Sequence, residues 1–138
     1  MGLRTDVAIF DFSKAFDSVS HRRLLAKIES YGIRGTTLSW IKSFLSDRLQ
    51  RVVINGSQSP WSPVISGVPQ GTVLGPLLFL LYINDITAGI RSDIRLFADD
   101  CILYRTIHSS SDVDILQDDI NKLLLWSRTW QMSFNSKK

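Results

Sequence analysis

Residues Leu96-Phe97-Ala98-Asp99-Asp100-Cys101-Ile102-Leu103-Tyr104 set two short apolar arms on either side of adjacent carboxylates. Arms of this length read as buried strands, and the acidic pair between them as a tight hairpin turn. At the rim of an apolar sheet two neighbouring carboxylates repel each other, and desolvation disfavours their charged forms. A divalent cation removes both penalties. Mg²⁺ takes hard oxygen ligands, often one or two protein carboxylates, with waters and substrate phosphates completing its shell. Solvated turns also carry paired acids, and Asp118-Asp119 is an internal control, lying in a pattern of helical period where carboxylates are expected to face water. A second, distant carboxylate is needed to decide between the two readings.

With 138 residues the chain is expected to form one domain, 1–138, with no second domain. A net charge of +3 permits nucleic-acid binding without indicating it. The distribution says more: residues 1–71 carry nine Lys/Arg against five Asp/Glu, whereas 85–119 hold eight acids against Arg91, Arg95 and Arg105. A basic half and an acidic centre suit a polyanion gripped on one side and a metal held on the other. Solvated surface charge accounts for the same numbers. Cys101 is the sole cysteine, which excludes an internal disulfide and a cysteine zinc site and gives no reason to expect a disulfide-linked partner. It reads as a small core residue. His21 and His108 lack ligand spacing. No signal peptide is visible, and the longest apolar run, 73–83, is too short for a bilayer and contains Gly75 and Pro76. A soluble intracellular chain with no membrane partner is expected, nucleus and cytoplasm not being distinguishable.

Val7-Ala8-Ile9-Phe10 is apolar without alternation, which predicts a central strand covered on both faces, with Asp11 at its end as a cap or a functional group. Ser20 is expected to cap a helix through Leu24, Leu25 and Ile28 that stops at Gly32, followed by a second helix from Thr36 to about Asp47. Residues 50–54 and 61–65 read as strands on either side of an Asn55-Gly56 turn. Residues 67–76, Gly-Val-Pro-Gln-Gly-Thr-Val-Leu-Gly-Pro, combine glycines with a proline placed to open a largely buried helix over 77–83, and no phosphate-loop lysine follows. Ser111 or Asp112 opens a long amphipathic helix with Val113, Leu116, Ile120, Leu123 and Trp130 near one stripe. This order predicts an α+β domain with helices on one face of an antiparallel sheet.

Three of these stretches, in this order, resemble reverse transcriptases of non-LTR, LINE-like retrotransposons, over nearly the whole chain. Residues 11–19, Asp-Phe-Ser-Lys-Ala-Phe-Asp-Ser-Val, with His21 look like motif A of that family. Residues 67–76 followed by Leu77-Leu78-Phe79 look like motif B, Phe97-Ala98-Asp99-Asp100 like motif C, and 135–138 like the end of motif D. The resemblance implies a polymerase palm and RNA-directed DNA polymerase activity, adding dNTPs to a primer 3′-hydroxyl on an RNA or DNA template. It implies that Asp11 and Asp99 ligate two Mg²⁺ ions (Mn²⁺ being a possible substitute) about 3.5–4 Å apart, with Asp100 beside them and the carbonyl of Phe12 as a further oxygen. It implies that Phe16 stacks under the incoming sugar and blocks a 2′-hydroxyl, and that Gln70 contacts the nucleotide. Gly71 would let backbone approach the template–primer, and Lys138 would protonate pyrophosphate. Asp17 is taken as structural.

Bacterial and group II intron enzymes usually show tyrosine where Phe97 stands, and Thr72-Val73-Leu74-Gly75-Pro76 favours the retrotransposon branch. A nucleotide cyclase would need Gly-Gly where Phe97-Ala98 stand. By the same resemblance most of the fingers and all of the thumb are missing, so the isolated fragment is expected to be inactive and to expose apolar surface. The alternative function is an inactive remnant serving as a nucleic-acid-binding or interaction module. Oligomeric state is left open.

Overall fold

The computed structural model describes residues 3–136, which form two compact units: residues up to Ala15 together with Ile83 onward, and Phe16–Tyr82. Both mix helix with antiparallel strand. No helix among the described residues is long and apolar enough to cross a membrane.

The first unit is built on three antiparallel strands, β1 (Arg4–Asp11), β6 (Asp93–Phe97) and β7 (Asp100–Ile107), in the order β1-β7-β6. Along β7, Cys101 and Leu103 are fully buried, and on the same face of β1 lie Ala8 and Phe10. That face is covered by α5 (Ser110–Thr129), whose Leu116 and Leu123 point into the core. The opposite face is open: Val7 is 55% and Ile9 71% exposed. The expectation of a central strand covered on both faces is therefore corrected. β1 is an edge strand with a single helix layer beneath it, and its unbroken apolar run does not report two-sided burial.

α5 is fixed at both ends of the sheet's approach. Ser109 caps it in a capping box with Asp112, whose carboxylate also accepts from the backbone of His108 and Ser109 and pairs with Arg105 of β7 at 2.8 Å. Two turns further, Asp119 is 0% exposed and its Oδ2 accepts the backbone N–H groups of Arg91 (3.0 Å) and Ser92 (2.8 Å), while Lys122 reaches Oδ1 and the carbonyl of Gly89. The Asp118-Asp119 pair thus does not simply face water. Asp118 pairs with Arg91 and Lys122 at the surface, and Asp119 anchors the loop that feeds β6. Both backbone donors are thereby satisfied by one buried carboxylate oxygen.

In the second unit, α1 is a single turn (Ala15–Ser18). α2 (His21–Ser30) starts at Ser20, whose hydroxyl accepts from Arg23 N, and buries Leu24, Lys27 and Ile28 at helical spacing. It stops in a Schellman motif: Gly32, at φ 92°, donates to Glu29 and Ile33 donates to Ile28. Lys27, buried, donates to the carbonyl of Tyr82 and lies over its ring. α3 (Gly35–Leu45) buries Ile41 and Leu45. The hairpin that follows is broken into two short ladders, β2 (Leu49–Gln50) with β5 (Ser62–Pro63) and β3 (Val53–Ile54) with β4 (Ser57–Gln58), the latter closed by Asn55 and Gly56 at positive φ. Pro60 and Pro63 lack the N–H groups a continuous return strand needs, which shortens the expected strand over 61–65. α4 (Leu74–Ile83) begins two residues before Pro76, and over 77–83 it buries Leu78, Phe79, Tyr82 and Ile83 as expected, while Leu77 and Leu80 are exposed.

Replacing Asp119 with alanine is expected to cost about 2–3 kcal/mol, because it leaves two backbone donors unpartnered, and urea denaturation checks this. Burial pushes the Asp119 carboxyl up, but hydrogen bonds from Ser92, Lys122 and Arg91 outweigh it and hold the group below the usual carboxylate range. Its contribution is therefore fully present above the unfolded-chain value of about 3.9 and is lost as pH falls through the lower folded value. An alanine variant should show a flatter stability profile across that acid window; an unchanged profile contradicts the anchor.

Candidate active site

The two acidic stretches meet through the β1–β7 ladder. Its register pairs Asp11 directly with Asp100, Ile9 with Ile102 and Val7 with Tyr104, so these side chains share the open face. β6 adds Phe97 opposite Asp100 on that face, 82% exposed. Asp99 sits in the two-residue turn between Phe97 and Asp100, and its carbonyl accepts the N–H of Phe12 at 3.2 Å, so the turn is stitched to the residue after Asp11. Three carboxylates from segments far apart in sequence are thereby gathered at one end of one sheet. Like charges directly across a ladder are destabilising by themselves.

The far side of this rim is rigidly backed. Phe12 is buried, stacks on Phe134 at 4.7 Å between ring centroids and lies near Trp126. Asn135 donates to the carbonyl of Asp11 and Ser13 to that of Ser133, so residues 133–135 clamp the end of β1. Trp126 in turn donates its indole N–H to Asp85 at 2.8 Å. Cys101, beside the acids in sequence, points into the core, and burial pushes its thiol up to about 11, which makes it a packing residue and not a nucleophile. Two residues flanking the acids carry left-handed backbone without being glycine, Lys14 (φ 48°) and Ala98 (φ 51°). Such torsions cluster where surrounding structure over-determines the chain.

The donor set fits a hard divalent ion, because it is all carboxylate oxygen from adjacent strands with like-charge repulsion to relieve. Among the described residues no three acids or histidines stand in a ready-made ligand cage. The residue in register with Asp11 is Asp100, and Asp99 occupies the turn.

The nucleotide-contact candidates lie in the second unit. Phe16, in α1, stacks on the buried Phe79 of α4 with centroids 4.6 Å apart. Gln70 donates to Asp17 at 3.4 Å, a weak contact that joins the 66–70 turn to α1. The same junction is held by Gly67 N to Val19 O, Val68 N to Phe16 O and Ser66 Oγ to Asp17 O. His21 Nε2 lies 2.7 Å from the carbonyl of Gly67, a latch that the sequence reading of His21 did not include. Gly67 is required twice over: φ is 88°, and a Cβ would stand 2.8 Å from Asp17 Cα and Phe16 O. At Gly75 a Cβ would meet the Pro69 carbonyl at 2.0 Å. Gly71 has φ 76° with nothing within 4 Å of a Cβ, so open space surrounds it. Lys138 lies outside the described residues. Asp119, the acid that fixes the loop before β6, was expected from the sequence to face water; the contrary signal was its place between Leu116 and Leu123 on the buried stripe.

Residues 3–138 match the family described as reverse transcriptase (RNA-dependent DNA polymerase). Among curated proteins the chain is similar to a probable RNA-directed DNA polymerase from transposon X-element of Drosophila melanogaster, 35% identical over 134 residues, covering 93% of this chain and 15% of that protein. It is 31% identical over 140 residues to the RNA-directed DNA polymerase from mobile element jockey of Drosophila melanogaster, covering 95% of this chain and 15% of the relative. A Pol polyprotein from type-1 retrotransposable element R2 of Popillia japonica is 25% identical over 150 residues, covering 99% of this chain and 24% of the relative. The chain thus spans well under a third of the length of these relatives.

The glycine geometry separates three substitutions. Gly67→Ala and Gly75→Ala, which drive a methyl into backbone, should each destabilise by about 2–3 kcal/mol, whereas Gly71→Ala, strained only in torsion, should cost about 1–2 kcal/mol. Thermal melts of the three variants check the ranking, and a Gly71 variant as damaged as the Gly75 variant contradicts it.

Proposed function

The chain belongs to the reverse transcriptase (RNA-dependent DNA polymerase) family, and from that premise we propose that its acidic rim is the catalytic centre of template-directed DNA synthesis on a polymerase palm. The observation that carries the reading is the register of Asp11 opposite Asp100, with Asp99 in the turn whose carbonyl holds Phe12. Carboxylates on a rigid sheet edge are what a phosphoryl-transfer site needs, since positioning and charge compensation account for most of its catalysis.

In this reading Asp11 and Asp99, with Asp100 and the carbonyl of Phe12, would hold two Mg²⁺ ions, for which Mn²⁺ could substitute. When bound, such ions lower the pKa of the attacking hydroxyl and offset charge on the phosphates. The primer 3′-oxygen forms its bond to the α-phosphorus of the dNTP as the bond to pyrophosphate breaks. The backbone clamp of residues 133–135 and the Phe12–Phe134 stack keep Asp11 from relaxing away from its partners. Phe16, backed by Phe79, presents a fixed ring against the sugar and discriminates against a 2′-hydroxyl. Gln70 reaches the incoming nucleotide, and the open surroundings of Gly71 admit nucleic acid close to backbone. Lys138 supplies the proton to pyrophosphate. Template, primer and dNTPs place this work inside the cell.

A second reading, a non-catalytic nucleic-acid-binding or interaction module, is favoured by one observation: no ready-made cage of three ligands exists among the described residues. Primer extension on an RNA template separates the two, using a full-length relative whose matching stretch is replaced by these residues. The polymerase reading expects Mg²⁺-dependent extension that falls at least about a hundredfold in Asp99→Asn and in Asp11→Asn. Extension by Asp99→Asn at the parental rate would overturn the metal role, and no extension by the parent would leave the binding module as the better account.

A further inference from the structure

Between Asp47 and Asp85 the chain contains no acidic residue, and its only charges are Arg48 and Arg51. This stretch includes the broken hairpin β2–β5, whose surface is unlike that of an ordinary solvated loop. Leu49, Val52, Val53 and Ile54 are each more than half exposed, and Trp61 is 59% exposed. The guanidinium of Arg51 lies 4.4 Å from the centroid of the Trp61 ring. The ring is thus stacked by a cation whose in-plane donors can meet a phosphate, and more than half of the residue is still exposed to a flat ring. Val52 and Ser59 lock this arrangement through two hydrogen bonds of 2.9 Å, one backbone to backbone and one to Ser59 Oγ, so the platform is held by the ladder and not by a floppy tip. At the base of the hairpin Arg48 lines a cavity of ≈ 200 Å³ together with Gly67 and Gln70, which makes the surface continuous with the 66–70 turn.

We propose that the hairpin is a stacking platform for single-stranded nucleic acid, in which a base packs on the exposed Trp61 while Arg51 and Arg48 engage the flanking phosphates. The inference rests on the reading above that this protein handles a template strand, and it adds a contact in the hairpin that the acidic rim does not require. An exposed aromatic stacked by arginine, on a stretch of chain without acids of its own, suits a polyanion with π-faces, although Asp17 also lines the cavity beside Arg48. A protein partner of ordinary composition gives no reason for the stretch to lack acids.

The test is fluorescence anisotropy of a labelled oligouridine RNA with the 138-residue chain, in the absence of Mg²⁺ and over a salt series. Trp61→Ala is expected to weaken binding roughly 5- to 100-fold, Trp61→Phe to restore most of it, and Arg51→Gln to lower the log–log salt slope by about 1. Trp61 is largely exposed, so far-UV circular dichroism should match the parent in all three. Affinity unchanged in Trp61→Ala, or lost equally in Trp61→Phe, overturns the platform. So does a Trp61→Ala variant that binds RNA normally but sediments differently, since that marks a protein contact. Trp61-dependent binding by this chain, together with no extension by the full-length relative that carries these residues, would remove the polymerase reading alone, and extension without Trp61-dependent binding would remove this one alone.

Discussion

The antiparallel ladder between β1 and β7 is the constraint on which the rest of the first unit depends. It joins residues nearly a hundred positions apart, and its register sets every side chain on two strands at once. A slip of one residue would turn Asp11 toward α5 and bring Ala8 and Phe10 out to solvent. The buried face resists that slip, because Cys101 and Leu103 are fully enclosed and have no polar substitute nearby. Asp119 and the 133–135 clamp act on the same ladder from outside, one fixing the chain that enters β6 and the other the chain that leaves β1. Packing on one face thus fixes where the carboxylates of the other face stand.

Much of this was legible from residue order. The acid pair between apolar arms gave the β6–β7 turn, Ser20 and Gly32 gave the limits of α2, and Cys101 read correctly as core. These features are local, and short-range chemistry decides them. What escaped the sequence is decided by neighbours. An apolar run such as Val7–Phe10 looks the same at a sheet edge as at its centre, and only the strand order β1-β7-β6 distinguishes them. Asp119 looks like its surface neighbour Asp118 until the backbone of Arg91 and Ser92 is brought to it by a loop nearly thirty residues earlier in the chain. The latch from His21 to Gly67 is equally non-local.

The site divides along the same line. The candidate acids come from the resemblance, which names Asp11 and Asp99 with Asp100 beside them, and the ladder adds their placement: Asp100 opposite Asp11, Asp99 in the turn. The two descriptions are compatible at the level of a shared rim, since Asp99 is tied by its carbonyl to Phe12. In the second unit the glycines carry different duties. Gly67 and Gly75 make room for backbone, while Gly71 adopts a torsion in open space. Family membership rests on a match over nearly the whole chain, and the relatives that share it are several times longer.

The claim that the rim is a hard-cation site is most directly tested by Mn²⁺-induced broadening in the amide spectrum of the ¹⁵N-labelled chain. The account predicts that substoichiometric Mn²⁺ erases the signals of residues around Asp11–Phe12 and Asp99–Asp100 first, and that an Asp11→Asn, Asp100→Asn double substitution protects them. Broadening that instead centres on Asp114 and Asp118, or that survives the double substitution, would contradict it.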